Sequence, residues 1–288
     1  MKPSTTEHLE LRGRRIRVRL WGPDAAPRLV LLHGWMDTAA SFQFLVDAFE
    51  RDWRVIAPDW RGFGGSEWNG DCYWFPDYLA DLDALLRHYS PDAPLRLAGH
   101  SMGGNVAALY AGTRPERVAR LALLEGFGLT AADPAEAPAR YRKWLDQLSE
   151  PPVLRDYADR DELAARLVKD NPRLAADRAL FLAEALGVAR PDGRIAYAAD
   201  PFHRVINPVL YRLEETSACW RCITAPVLWV VAEESFVARH FRDRPDDYRE
   251  RLGCFGELRE VRLADAGHNM HHDQPLRLAA ALEEFFIA

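Results

Sequence analysis

A serine set among glycines marks the part of the chain that could carry chemistry. The segment GHSMG, residues 99–103, places Ser101 directly after the apolar run LRLA and before a helix-like pattern. A reversal this sharp from strand to helix strains the backbone at the serine and leaves its hydroxyl clear of the sheet. The following helix directs free backbone N–H groups toward charge that develops beside the serine. The context therefore predicts that Ser101 is a nucleophile, with a plain turn serine as the alternative.

A second segment, LLHGWMD at residues 31–37, follows another apolar run. A His-Gly pair at a strand end allows the next backbone N–H, that of Trp35, to turn inward. Together with the N–H of Met102 it would form an oxyanion hole with two donors. Loss of one such donor typically costs a few kcal/mol of transition-state stabilisation. We expect His33 itself to be structural.

The general base should come from ADAGHNMHHDQP, residues 264–275, which follow the last predicted strand. His268 stands at the strand exit, where a loop can bring an imidazole back over the sheet. An imidazole with a pKa of about 6.5 suits taking the serine proton and returning it to a leaving group. We expect His271 to support the loop and His272 to face solvent.

The elements that must position these residues alternate along the first half of the chain. LELRGRRIRVRLWG predicts an opening hairpin around Gly13, and RLVLLHG has the continuous apolar character of a strand buried on both faces. Strand-like and helix-like segments then alternate as far as VARLALLEG. This order predicts βαβ units and a doubly wound, mostly parallel sheet.

The alternation stops at about residue 128. Residues 128–223 are helix-like, are punctuated by prolines and contain no apolar run typical of a core strand. A segment this long without a strand is an insertion rather than a loop. The prediction is a core domain of residues 1–127 and 224–288 that carries a helical cap of residues 128–223. Cap aromatics such as Trp144 and Tyr211 are expected to influence substrate range.

Composition excludes several classes of partner. The net charge of −6 and the lack of a basic run argue against nucleic acid or an anionic membrane as a partner. No apolar stretch approaches the roughly 18 residues of a membrane span, and the first residues lack a signal-peptide core. Four cysteines do not indicate a disulfide framework, so a cytoplasmic location is expected. The pair Cys219 and Cys222 is interpreted as ordinary packing cysteines.

These segments, in this order, resemble the α/β-hydrolase family over nearly the whole chain. PDWRGFGGSEW adds the family's D-x-R-G-x-G-x-S segment, which shapes the loop beside the site; its residues here are Asp59, Arg61, Gly62, Gly64 and Ser66. The resemblance implies an eight-stranded sheet, Ser101 as nucleophile, Trp35 and Met102 as oxyanion donors, and His268 as base. The HGW-D opening and the large cap resemble the serine-hydrolase-like branch.

The triad acid departs from the family pattern. The family usually places it after the strand that follows the cap, as G-x-x-D, but here Ala232 takes the glycine position and Ser235 the aspartate position. Glu125 follows the apolar run of LALLEGFG, beside the nucleophile's strand, and a carboxylate there is costly to bury unless it is hydrogen-bonded or paired; an imidazole N–H is a suitable partner. Glu125 is the favoured acid, then Glu234, with Glu233 last. A purely loop-organising role for Glu125 is the alternative.

The predicted function is hydrolysis of a carboxylic ester or thioester through an acyl-enzyme on Ser101, with a small acyl compound as substrate and no metal or cofactor. Carbon–carbon bond hydrolysis and perhydrolysis are alternatives on the same site. A third alternative is a non-catalytic small-molecule-binding protein, which the missing aspartate favours. Dehalogenase and epoxide hydrolase reactions are disfavoured, because Ser101 stands where those enzymes use aspartate.

Overall fold

Ten strands form one large and one small sheet in the computed structural model, which describes residues 1–288. The strands are β1 Ser4–Leu11, β2 Arg14–Trp21, β3 Arg28–Leu32, β4 Arg54–Pro58, β5 Leu95–His100, β6 Val118–Leu124, β7 Gly187–Ala189, β8 Ile195–Tyr197, β9 Val227–Ala232 and β10 Leu258–Leu263. Eight of them lie in the order β1-β2-β4-β3-β5-β6-β9-β10. β1 and β2 are antiparallel to their neighbours, and the remaining pairs are parallel. The predicted eight-stranded, mostly parallel sheet is confirmed.

Burial explains the two kinds of strand in this sheet. β3 and β9 are covered on both faces and are buried along almost their whole length, so their sequences are continuously apolar. β1 and β2 form the predicted hairpin around Gly13 at one edge, and polar residues alternate there with apolar ones. The sequence pattern therefore distinguishes the central strands from the edge.

Helices cover both faces of the sheet. They are α1 Gln43–Ala48, α2 Phe75–Tyr89, α3 Met102–Thr113, α4 Ala137–Ser149, α5 Arg160–Asp170, α6 Ala176–Leu186, α7 Leu213–Trp220, α8 Phe236–Arg242, α9 Pro245–Leu252, α10 Met270–Asp273 and α11 Pro275–Ile287. α2 and α3 bury apolar side chains against one face, and α1 and α11 against the other. This double covering fixes the carboxyl ends of β3, β5 and β6 at one edge, where the predicted site residues lie.

The segment between β6 and β9 contains α4 to α7 and a short hairpin of β7 and β8. The hairpin is an addition to the predicted helical cap, and its strands lie outside the main sheet. Its strands have only three residues each, too few to give an alternating sequence pattern, and the turn is closed where the Arg190 N–H donates to the Arg194 carbonyl. The domain limits at 127/128 and 223/224 stay a prediction.

The four cysteines are unpaired. Cys254 is buried and Cys219 is partly buried, but Cys222 and Cys72 are exposed. The interpretation of Cys219 and Cys222 as a packing pair is therefore wrong for Cys222, which follows the end of α7 on the surface. None of the helices combines the length and the apolar character needed to cross a bilayer.

Candidate active site

Ser101 occupies a strained turn between β5 and α3. Its backbone has φ 51° and ψ −114°, and residues with a Cβ seldom adopt a positive φ. Close backbone approach enforces the turn: a Cβ on Gly103 would lie 2.2 Å from the Leu32 carbonyl oxygen, and one on Gly34 would lie 3.3 Å from the Ser101 Cβ. The glycines of the sequence therefore bring the end of β3 against the serine.

Two backbone N–H groups beside the serine have no partner within the protein. They belong to Trp35, in the turn after β3, and to Met102, the first residue of α3. The turn is held from below by His33, whose Nδ1–H donates to the Gly34 carbonyl at 2.7 Å and whose Nε2 accepts the Trp60 N–H at 2.9 Å. His33 is fully buried and thus has the structural role expected of it.

Tyr197, a residue of the cap, also stabilises the turn after β3. The Tyr197 hydroxyl, on β8, donates a 2.7 Å hydrogen bond to the carbonyl of Met36. Met36 itself has φ 57°, so the bond stabilises a backbone conformation that is otherwise unfavourable. Sequence reasoning gave Tyr197 no such role, because no local pattern connects it with residues 31–37.

His268 and Glu125 form a hydrogen-bonded pair behind the face that His268 presents to solvent-accessible space. Nδ1 of His268 lies 2.7 Å from Oε2 of Glu125, and Oε1 of Glu125 accepts the Ala232 N–H at 2.9 Å. Glu125 is 4% exposed and has φ 56°, directly after the last residue of β6. With Nδ1–H donating to the carboxylate, Nε2 of His268 is the nitrogen free to accept a proton.

Burial shifts the pKa values of this pair. It raises the pKa of Glu125 to about 7, an effect that hydrogen bonds from Ser235 and Ala232 oppose. It lowers the pKa of His268 to about 4, which the negative charge of Asp37 opposes. Both shifts favour neutral forms, whereas the hydrogen bond between the two side chains favours the ionised carboxylate. Above neutral pH the pair therefore holds a neutral imidazole and a carboxylate.

The other two candidate acids lie away from His268. Glu234 is exposed and forms a salt bridge with Arg173, and Glu233 is also exposed without a contact to the imidazole. Ser235, at the usual position of the acid, is buried and caps α8 by accepting the Ala238 N–H at 2.9 Å. Of the three glutamates, only Glu125 contacts the predicted base.

The two histidines after His268 are both buried. His271 supports the loop as expected, since its Nε2 lies 3.3 Å from Oγ of Ser41. The expectation that His272 faces solvent is wrong: it is 6% exposed and packs edge-on against Phe44. Residues 270–273 form the helical turn α10, and Arg178 of α6 binds the His272 carbonyl, so the cap covers this turn.

The D-x-R-G-x-G-x-S segment has the scaffold role that the resemblance implies. Oδ1 of Asp59 accepts the Ala39 N–H at 2.8 Å at the start of the turn before α1. Arg61 forms a buried bidentate salt bridge with Asp81, with both distances 2.6 Å. Neither side chain lines the cleft beside Ser101.

Ser101 and His268 line one cleft of about 140 Å³ between the sheet and the cap. No direct hydrogen bond joins them, but both open into the same space. The cap contributes Leu167, Asp170, Asn171, Leu174, Leu182, Leu186 and Tyr197, and the core contributes Gly34, Trp35, Met36, Asp37, His100, Asn269 and His272. Trp144 and Tyr211 are absent from this lining. Of the cap aromatics, Tyr197 lines the cleft, and leucines form the apolar wall.

A strained serine turn, unpartnered N–H groups beside it and a His–carboxylate pair, all at the carboxyl ends of a mostly parallel sheet, have the arrangement of an α/β hydrolase. The sequence model of the alpha/beta hydrolase fold matches residues 27–275. The chain belongs to the α/β-hydrolase family, in its serine-hydrolase-like branch.

Individual relatives agree with this placement. The chain is 26% identical to a serine hydrolase-like protein of Danio rerio, with 96% of this chain and 85% of that protein covered. It is 32% identical to Lipase LipV of Mycobacterium tuberculosis, with coverages of 93% and 96%. Matches to human and mouse serine hydrolase-like proteins are local and cover 38% of this chain. Among solved structures, a thioesterase domain from the curacin biosynthetic pathway superposes with a TM-score of 0.85 at 26% identity, over 98% and 99% of the two chains.

Proposed function

We propose that the protein is a serine hydrolase that cleaves small carboxylic esters or thioesters through an acyl-enzyme on Ser101. The observation that carries the proposal is the 2.7 Å hydrogen bond between Nδ1 of His268 and Glu125, in a cleft that both His268 and Ser101 line. The bond leaves Nε2 of His268 free to accept the serine proton. The names of LipV and of the curacin thioesterase domain support these two substrate classes.

In the acylation step, Oγ of Ser101 bonds to the substrate carbonyl carbon while Nε2 of His268 takes the hydroxyl proton. The carbonyl π electrons move to oxygen, and the N–H groups of Trp35 and Met102 stabilise the resulting oxyanion. When the intermediate collapses, the bond to the alcohol or thiol breaks, and the imidazolium returns its proton to that leaving group. Glu125 accepts from Nδ1–H throughout and stabilises the transient imidazolium.

In the deacylation step, His268 removes a proton from a water molecule that attacks the acyl carbonyl. The second oxyanion occupies the same pair of N–H donors, and its collapse breaks the bond to Oγ of Ser101. The proton held by His268 passes to Oγ, and the carboxylic acid is released. Every proton moves through one imidazole, so this route requires no metal or cofactor.

The size and lining of the cleft support a small substrate. Its volume of about 140 Å³ lies below the range of about 300–1,000 Å³ typical of sites for drug-sized ligands. Four leucines of the cap provide an apolar wall suited to an acyl chain. A small acyl compound is therefore the ligand we propose, with no nucleic acid or membrane partner, and the cytoplasmic location stays a prediction.

The non-catalytic alternative depended on the absence of an aspartate at Ser235. The contact between Glu125 and His268 weakens that argument, because a carboxylate from another strand takes the partner position of the imidazole. Carbon–carbon bond hydrolysis and perhydrolysis use the same groups, and no contact in the cleft favours either one.

A substrate panel tests the proposal. Purified protein would be assayed on p-nitrophenyl esters and on acyl thioesters from acetyl to octanoyl, with Ser101→Ala as the matched control. We expect turnover on short acyl chains in at least one series and none above background in the variant. Equal turnover by the variant, or no turnover on any member of either series, would overturn the proposal.

A further inference from the structure

A cluster of three potential metal ligands lies beside the nucleophile and has no part in the hydrolytic mechanism. Asp37 follows the oxyanion turn, His100 precedes Ser101, and His271 lies on α10. Each offers one ligand atom, and these atoms lie within 4.8 Å of one another. We propose that the cluster binds one divalent transition-metal ion, of which zinc is the representative, and that the bound ion inhibits hydrolysis.

Unpartnered nitrogens are the first support for a ligand here. Nδ1 of His100 is buried and makes no hydrogen bond, while Nε2 of the same ring lies 2.8 Å from the carbonyl oxygen of His268. Because a carbonyl only accepts, Nε2 carries the proton and Nδ1 presents a lone pair. His100 is 3% exposed, and buried ring nitrogens normally have a partner.

His271 lies on the other side of the cluster and also has one nitrogen without a partner. Its side chain is fully buried, and Nδ1 has no partner. Its Nε2 faces Oδ2 of Asp37 at 3.7 Å, too long for a direct hydrogen bond. The Ser41 hydroxyl bridges the two atoms, 2.7 Å from Oδ2 and 3.3 Å from Nε2, so an ion shared by Asp37 and His271 would replace the contacts of that hydroxyl.

The chemistry of the donors selects the class of ion. Two imidazoles and one carboxylate suit zinc, copper or nickel, whereas calcium and magnesium prefer oxygen ligands alone. Zinc holds such ligands at about 2.0–2.2 Å, so its donor atoms are about 3.4 Å apart in a tetrahedron. Atoms already within 4.8 Å reach that spacing by small side-chain rotations. The carboxylate of Asp37 supplies negative charge for the cation.

The position of the cluster explains why the ion would inhibit. Asp37 and His100 line the same cleft as Ser101 and His268, so an ion between them occupies space that the substrate needs. His100 also holds the backbone of His268 through its Nε2–H, and rotation of the His100 ring toward a metal would disturb that contact. The ion therefore opposes the reaction and is not a cofactor of it.

Direct binding measurements test the proposal without relying on activity. Chelator-treated protein would be titrated with Co²⁺ while visible ligand-field bands are recorded, and with Zn²⁺ by calorimetry. We expect one ion per chain. His271→Gln and Asp37→Asn should each weaken binding by more than about 100-fold, because loss of an outer-shell partner typically costs about 10- to 100-fold. His88→Gln, at an exposed histidine, is the matched control and should bind like the wild type.

Further variants separate this site from the proposed hydrolase function. Ser101→Ala should bind the ion unchanged, so the result stands even if the protein hydrolyses no ester. In the active enzyme, zinc should inhibit, excess chelator should restore the rate, and Asp37→Asn should retain residual activity that zinc no longer lowers. Asp37→Asn preserves side-chain shape, which keeps the test informative if His271→Gln fails to fold. Absence of binding, or equal binding by wild type and both ligand variants, would overturn the proposal.

Discussion

Glu125, at the end of β6, lies 2.7 Å from Nδ1 of His268, which follows β10 some 143 residues later in the chain. The contact joins residues that follow β6 and β10, two strands that are distant in sequence and separated only by β9 in the sheet. It also explains how a chain with Ser235 at the usual acid position can orient its imidazole. Ser235 instead caps α8 and, with the Ala232 N–H, opposes the rise in the pKa of Glu125.

The Glu125–His268 contact predicts unequal effects of two conservative substitutions. Glu125→Gln should lower kcat by about 10²- to 10⁴-fold. Without the carboxylate, His268 is no longer held in the Nδ1–H tautomer whose Nε2 accepts the serine proton. Glu234→Gln should stay near the wild-type rate, because that side chain pairs with Arg173 at the surface. Turnover of both purified variants on one ester measures the difference. If Glu234→Gln lost most of its turnover while Glu125→Gln stayed near the wild-type rate, the triad acid would be Glu234 and the assignment to Glu125 would be wrong.

The pH profile should depend on the same carboxylate. Burial raises the pKa of Glu125 to about 7, so the ionised form is present above that pH and is lost as the pH falls through it. We therefore expect kcat/KM to decline on the acid side with a midpoint near neutrality. In Glu125→Gln no group titrates at position 125. The residual activity should therefore persist to lower pH and decline only toward the pKa of His268, which burial lowers to about 4. Identical acid limbs in the two proteins would contradict the assignment.

Tyr197→Phe tests whether the cap positions the turn after β3, residues 33–36, which carries the proposed oxyanion donor Trp35. The substitution removes the hydrogen bond to the Met36 carbonyl, worth about 1 kcal/mol, so kcat should fall about fivefold with little change in KM. Tyr211→Phe is the matched control, because the Tyr211 hydroxyl is buried without a partner and its loss should be nearly neutral. Equal kinetics for the two variants would show that the turn holds its shape without the cap.

The apolar wall of the cleft should determine acyl-chain length. Leu182, on α6, is buried and lines the cleft, whereas Leu180 on the same helix is 46% exposed. Leu182→Phe should shorten the acyl pocket and lower kcat/KM for octanoyl relative to acetyl esters by about tenfold or more. Leu180→Phe should leave the ratio unchanged. A panel of p-nitrophenyl esters measures both ratios, and an unaltered chain-length preference in Leu182→Phe would place the acyl group elsewhere.

The core of the fold could be predicted from sequence because its determinants are local. The continuous apolar runs of β3 and β9 and the glycines around Ser101 each specify their own strand or turn. The hairpin of β7 and β8 could not be predicted, since strands of three residues have no readable period. His272 was misjudged because its burial comes from Phe44 and from the cap above α10, not from its neighbours in sequence.

The part of the site that could be predicted from sequence is the part with local signals. Ser101 and His268 carry local signals, a strand–turn–helix context and a strand exit, and the structure brings both to one cleft. The choice of Glu125 among three glutamates rested on the cost of burying a carboxylate, and only the fold shows that it reaches His268. The contact of Tyr197 with the Met36 carbonyl depends on how the cap lies over the sheet, which no local pattern encodes.

Labelling at Ser101 tests the central claim most directly. Wild-type protein would be treated with a fluorophosphonate, digested and analysed by mass spectrometry, with Ser101→Ala and heat-denatured wild type as controls. We predict one adduct per chain, on the peptide that contains Ser101, and none in either control. A native wild-type protein that stays unlabelled, or a Ser101→Ala variant that is labelled as fully as the wild type, would contradict the assignment of Ser101 as an activated nucleophile.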